Sequence, residues 1–396
     1  MGKRELLLIV GFIMVGTMVY FATAPEPTPG QQGFSLSRIV DHVRREIRGN
    51  SASAEVTTAT TVPLKPGLSE LRFEPGSALL TVIGEDRSDL GCEMLVWSNG
   101  TDETEARKYA NETKLKLTDA GNSLALGVSY PDPGQQRATL TIRVPKSIPI
   151  RIQPSRGKLE ISDLTSVEIV EARGQVTVRR ITGKLVVTHR GGPLVLESIA
   201  GLKLNSRGSN VTLKDVRGQS ALQMQAGELR GSAFVGPIEI ETNGTRVTLD
   251  DLAAMQKPLR LTTVGGSATL KGVANDLRID ARDTRLDVWV YQPAPIAIYT
   301  EGDDPLTVAV PDKGFDLEAL ALDGRLNVAS GLPEVKTNGN EQRASGPVGG
   351  GGPTITLRAS RPDITINWLK DVRTTSPDTS APPAPPAPPA PPKPPR

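Results

Sequence analysis

Residues 151–216, RIQPSRGKLEISDLTSVEIVEARGQVTVRRITGKLVVTHRGGPLVLESIAGLKLNSRGSNVTLKDV, repeat one short phrase four times. The copies are Ser155-Arg156-Gly157, Ala172-Arg173-Gly174, His189-Arg190-Gly191 and Ser206-Arg207-Gly208, and their glycines step by 17, 17 and 17 residues. The beat runs on through Gly227, Gly244 and Gly265 in steps of 19, 17 and 21. After each glycine, apolar residues occupy two alternate positions and a third position three residues on. Leu159, Ile161 and Leu164 begin this series, Val176, Val178 and Ile181 continue it, and Leu286, Val288 and Tyr291 end it. The copy after Gly227 fits poorly. A second alternating pair precedes each turn, from Val167 and Ile169 to Leu277 and Ile279.

Alternation puts successive side chains on opposite faces of a strand. Each unit therefore reads as two short strands joined by tight turns, with one inward apolar row. A single row does not offset the entropy of ordering its own unit, but stacked units share a continuous core. Equivalent strands then pair in parallel along the stack. Glycine recurs where a corner needs positive φ. The fold class read here is all-β, a parallel β-helix or solenoid with rungs of about 17 residues.

Working outward, residues 151–330 hold the regular rungs and 68–150 form a lead-in of short strands, with a polar helical interruption near Asp102–Thr113. Residues 331–353 are Gly-rich and read as a flexible surface insertion; 354–370 return to the pattern as a final rung. The solenoid domain thus spans 68–370. Beyond it, 371–396 carry four Ala-Pro-Pro units and read as a disordered tail of polyproline II character.

At the other end, Lys3 and Arg4 precede an apolar run from Leu6 to Ala24. At about 1.5 Å per residue the run spans about 28 Å, enough for the hydrocarbon core. Residues 1–24 read as a single-pass transmembrane anchor with the rest of the chain exported. A cleaved signal peptide is the alternative, because Ala22-Thr23-Ala24 has the small-x-small form; Pro25 directly behind it opposes cleavage. Residues 25–67 read as linker, with a short amphipathic helix carrying Leu36, Ile39, Val40, Val43 and Ile47, and a Thr/Ser/Ala-rich stretch from Ser51 to Pro66.

Composition narrows function. The 46 Lys and Arg against 44 Asp and Glu leave a net charge of +2, so no global field recruits nucleic acid. One cysteine, Cys92, and two histidines, His42 and His189, argue against metal centres and Ser–His–Asp chemistry. No cofactor is expected. Cys92 reads as a small buried residue, and His189 as a solvent-exposed turn residue.

With Val144-Pro145-Lys146, Ile150-Arg151-Ile152 and Ser155-Arg156-Gly157-Lys158-Leu159-Glu160-Ile161, followed by the turn-glycine units, the chain resembles the bacterial "putative adhesin" family of cell-envelope domains. The likeness covers roughly residues 70–368. It implies a right-handed parallel β-helix-like fold, a place in the bacterial envelope and, in some members, a link to envelope-stress signalling. It supplies no catalytic residues.

Two clusters stand out. Arg156, Arg173, Arg190 and Arg207 would stack at the inter-strand distance of about 4.8 Å and could bind an anionic polymer. The competing reading is an exposed turn neutralised by Asp163, Glu171, Glu197 and Asp215. Asp276, Asp280, Asp283 and Asp287 are interleaved with Arg278, Arg282 and Arg285, the pattern of a solvated, charge-balanced edge rather than an acid pair. The expectation is a non-enzymatic, membrane-anchored envelope protein. It presents a β-solenoid to an anionic envelope glycan or an envelope protein, outside the cytoplasm. A surface adhesin and a polysaccharide-active β-helix enzyme are the alternatives.

Overall fold

The computed structural model describes residues 52–370 apart from 133, 257 and 313. The expected anchor, the amphipathic helix and the Pro-rich tail lie outside the described residues. Among the described residues, no helix is long and apolar enough to cross a membrane.

The described chain is all-β and mostly parallel. Its first elements are β1 (Ala52–Pro63), β2 (Glu70–Glu74), β3 (Leu79–Glu85), β4 (Asp89–Gly100), helix α1 (Glu103–Glu112), β5 (Lys114–Asp119), β6 (Ser123–Ser129) and β7 (Gln136–Pro145). The middle holds β8 (Ile150–Ile152), β9 (Leu159–Leu164), β10 (Val167–Ala172), β11 (Val176–Val216), β12 (Ser220–Phe234), β13 (Ile238–Asp250), β14 (Leu259–Val273), β15 (Leu277–Arg282) and β16 (Arg285–Val290). The last are β17 (Ile296–Glu301), β18 (Leu306–Val310), β19 (Phe315–Leu322), β20 (Leu326–Val328), β21 (Lys336–Asn338), β22 (Glu341–Val348), β23 (Thr354–Ser360) and β24 (Ile364–Trp368).

The strands stack in two rows with one continuous apolar core. In the first row Val167 pairs with Leu185, Leu202 with Ser220, Ser220 with Ile238, Ile238 with Leu259, Leu259 with Leu277 and Leu277 with Ile296, all parallel. The second row carries Leu159 beside Val176 and, further along, Leu286 beside Leu306. The coil is 17 residues at the start, where Ile150 pairs with Val167, Leu159 with Val176 and Ala172 with His189, as the glycine count has it, and mostly 18 further along. The discrepancy arises at the corner after the first-row strand. There Gly208 (φ 64°), Ala226 (φ 58°) and Gly244 (φ 61°) hold equivalent places, because Arg207, Gln225 and Asn243 are register partners. Gly227 is one residue beyond the corner, where a Cβ would collide with the carbonyl of Ser209.

A second corner explains the apolar residue three positions on. Asp163, Arg180, Ser198, Asp215, Ala233 and Asp251 all have left-handed φ between 53° and 63°, each directly before a buried third residue. The left-handed residue takes up one step of the chain, so the next side chain points inward again. Asp and Ser, with short polar side chains, suit the place. The coil of β16 lacks this extra residue. Val290 (0% exposed) fills the third position there, and the expected Tyr291 is 36% exposed.

The ends depart most from expectation. Ser51–Pro66, read as linker, contains β1, paired antiparallel with β4; Val56, Thr57, Thr58, Thr60, Thr61 and Val62 give it β-branched character without an apolar alternation. Part of the expected flexible insertion is β22, antiparallel to β19, with β21 beyond it. Residues 354–368 do form a coil, but not the last in the stack: β23 lies between β17 and β19, and β24 between β18 and β20. The opposite end mirrors this, with β2 between β6 and β8, and β3 between β7 and β9. Each terminal coil is thus held between two others, and antiparallel strands lie outside it. The helical interruption is α1, where the Asp102 carboxylate accepts a hydrogen bond from the Glu105 N–H (2.8 Å) and Ala106 and Ala110 are buried.

Candidate functional site: an axial groove at the first corner

Outward side chains at the end of the first-row strands fall into columns. Arg207, Gln225, Asn243 and Val264 are successive register partners, and the column continues through Arg282 and Glu301. Beside it run Asn205, Gln223, Glu241 and Thr262, then Asp280 and Tyr299. Two depressions follow these columns. One of about 450 Å³ begins at Arg190 and Arg207 and continues over the amides of Asn205, Gln223, Gln225 and Asn243. The other, of about 640 Å³, is lined by Asp280, Arg282, Tyr299, Glu301 and Arg358. Both include Val264, which is 42% exposed, so the two depressions adjoin there and follow the stack end to end as a shallow groove.

The four expected arginines are all exposed on consecutive coils, as the pairings of Ser155 with Ala172 and Ala172 with His189 require. They do not share one environment. The Glu171 carboxylate lies 2.9 Å from Arg173 Nη2 and 3.5 Å from Arg190 Nε. Arg156 and Arg207 have no ion pair among the described residues. Only Arg190 and Arg207 line the groove; Arg156 and Arg173 lie beyond its end.

The other expected neutralising acids serve different cations. Asp163 takes a bidentate contact from Arg180 (2.6 and 2.6 Å), and this hydrogen bonding holds its carboxyl below the usual carboxylate range. Asp215 is held low in the same way by Arg217 (2.7 and 3.0 Å) and accepts from Ser198 Oγ (3.0 Å). Glu197 faces Arg179 at 3.3 Å and Lys214 at 3.9 Å.

His189 is buried, against expectation, because its place in the corner phrase points inward with Ala172 and Ser206. Its Nε2 lies 2.9 Å from the Gly174 carbonyl, which can only accept, so Nε2 carries the proton. Nδ1 then accepts from Ser209 Oγ at 2.8 Å. Burial pushes the imidazole below its ordinary value of 6.5, partly countered by the Gly174 hydrogen bond. The neutral ring therefore fastens three successive coils beneath the groove.

The four aspartates do not converge. Asp280 is engaged by Arg278 (2.8 and 3.1 Å), Asp287 lies 3.7 Å from Arg285 on the second row, and Asp283 occupies a left-handed corner (φ 45°). Cys92 is buried, and burial raises its thiol to about 11. Among the described residues, no three of His, Cys, Asp and Glu gather as a metal site. Sequence reading missed the amide columns and Tyr299, whose ring has Arg278 at 5.2 Å and Arg358 at 6.0 Å from its centre. The amides recur at coil spacing, and that signal was present beside the arginines.

No protein-family model and no curated protein matches the chain. Similar solved structures include a putative cell adhesion protein from Clostridium sporogenes, at 12% identity and a TM-score of 0.19 over 79% of this chain and 100% of that one. A putative lipid binding protein from Parabacteroides distasonis is 12% identical, with a TM-score of 0.27 over 64% of this chain and 92% of that one. At these TM-scores the likeness is loose, and neither structure carries an argument about what this chain does.

Proposed function

We propose that the chain is a non-enzymatic, membrane-anchored envelope protein whose right-handed β-solenoid binds a linear acidic glycan outside the cytoplasm. The observation that carries this reading is the groove's course along the stack. From the coil of Arg190 to that of Leu322 there are eight steps, about 38 Å at about 4.8 Å each. Small-molecule sites are concave and bury most of their ligand; a long shallow channel suits an extended chain. Arg190 and Arg207 supply planar donors for carboxylate or phosphate, and the amides both donate to and accept from hydroxyls. Asp280 and Glu301 are each engaged by an arginine, Arg278 and Arg282, and Glu241 accepts from the Gln223 amide two coils from Asp280, an arrangement of occupied acids that disfavours acid–base hydrolysis. Lys3 and Arg4 before the apolar run support the anchor and the export of the solenoid.

Polygalacturonate binding by the full chain tests the reading. Arg207→Gln should weaken binding and flatten its salt dependence with an unchanged melting temperature, since Arg207 has no ion pair to lose. Arg173→Gln, outside the groove, should leave affinity unaltered. Equal affinity in wild type and Arg207→Gln, or equal losses in both variants, overturns the assignment.

A further inference from the structure

The far end of the groove gathers cations that the chain itself leaves unneutralised. β23, β19, β22 and β21 lie side by side in that order, and their register aligns Arg358, Leu320, Arg343 and Lys336 in one outward column. It continues the column of Asp280 and Tyr299, because Tyr299 pairs with Arg358. Arg358, Arg343 and Lys336 are exposed, and none has an ion pair among the described residues. On these strands the flanking columns hold one acid each, Glu318 and Glu341, and neither comes within ion-pair distance. Lys336 and Arg343 face each other directly across an antiparallel pair, where like charges are destabilising. Further back along the same wall the chain pairs its cations, Arg278 with Asp280 and Arg282 with Glu301.

Arg358 is also held in place. Its guanidinium lies 6.0 Å from the centre of the Tyr299 ring, and that of Arg278 lies 5.2 Å from the same ring. Asp280 takes up the Arg278 charge with two hydrogen bonds, so Arg358 is the one of the two whose donors stay open. It lines the depression of about 640 Å³. A guanidinium already laid on a ring loses less freedom when it grips an anion.

We propose that these cations form a second anion-holding end of the groove, so that one glycan with acid groups recurring along its length is gripped at Arg207 and again at Arg358 and Arg343. This rests on the groove reading above and adds a demand on the ligand. From the coil of Arg207 to that of Arg358 there are six steps, about 29 Å at about 4.8 Å each, and Arg343 lies two steps further on. A glycan acidic at one end satisfies one grip only; a polyacid satisfies both. Once the first grip is made the second is intramolecular, which raises affinity for a chain long enough to reach.

Calorimetry of the full chain tests this, with polygalacturonate and with galacturonate oligomers too short to span about 29 Å. Arg343→Gln/Arg358→Gln should weaken polygalacturonate binding about tenfold or more and flatten its salt dependence, as Arg207→Gln does at the other end. Short oligomers should occupy two sites on wild type; the far-end variant should keep one and Arg207→Gln the other. Lys336→Gln leaves both arginines and removes the opposed charge, so it should weaken polymer binding less and slightly raise the melting temperature. Unaltered polygalacturonate affinity in a folded Arg343→Gln/Arg358→Gln, beside a loss in Arg207→Gln, overturns the second end and leaves the groove reading standing. A single short-oligomer site on wild type does the same. Unaltered affinity in both variants removes the groove reading and this proposal with it.

Discussion

The coil that fits the repeat worst offers the sharpest test of the packing. Gly231 occupies the second inward position of its coil, between Leu213 and Leu249 of the neighbouring coils. Phe234, paired with Val216, fills the third position and is 0% exposed. A Cβ on Gly231 would meet the Phe234 ring, with Cε2 at 2.8 Å and Cζ nearer, and Leu249 Cδ2 at 3.0 Å. The aromatic ring thus occupies the volume that a leucine would take at 231. Phe234→Ala should cost about 3–5 kcal/mol through the cavity it leaves. Gly231→Ala alone should cost about 1–3 kcal/mol, because the added methyl overpacks a filled space. In the Phe234→Ala background the same methyl enters vacated volume and should be neutral or stabilising. The double variant should then lie about 1–3 kcal/mol above the sum of the singles. Gly231→Leu/Phe234→Val, which copies the coil of Leu213 and Val216, should recover most of the loss. Guanidinium denaturation midpoints supply the comparison. Additive losses would refute the claim that one ring serves two positions.

Two other expectations concern the corners. Ala226 bears left-handed strain that Gly208 and Gly244 avoid, so Ala226→Gly should raise stability by about 0.5–1 kcal/mol. Gly227→Ala should lower it through collision with the Ser209 carbonyl; thermal melts showing the reverse order would return the corner to Gly227. For His189 the folded value lies below the unfolded one, so the unfolded chain binds the proton more readily. Its contribution is fully present above about pH 6.5 and is lost as pH falls through the folded value. His189→Gln should be less stable at neutral pH and should lack that decline; identical profiles would remove the buried neutral ring from the account.

The inward rows were legible because burying a strand's face imposes alternation locally. Leu159, Val178 and Leu213 are buried where the pattern put them. The stacking order was not legible. Any coil with the right row can lie on any other, and only three-dimensional packing puts Ile355 between Ile298's coil and Leu317's. β1 was hidden because its strand character comes from threonine with one face little buried, a composition shared with linkers. His189 was misplaced because a polar residue beside Arg190 suggests a surface turn, and the inward column there tolerates polar groups such as Ser206 and Thr242. The arginines were found but not sorted. Glu171, two residues before Arg173, neutralises part of the column, and the groove's position comes from the coils after Arg190.

The central claim is that the first-corner groove holds an extended acidic glycan, and its most direct measurement is affinity against chain length. Titrating the full chain calorimetrically with galacturonate oligomers of increasing length should show affinity rising with each added unit and levelling once the oligomer spans the groove, about 38 Å. Arg207→Gln should lower the curve throughout. Affinity independent of length, or a curve unchanged by Arg207→Gln in a folded protein, would contradict a polymer lying along the stack.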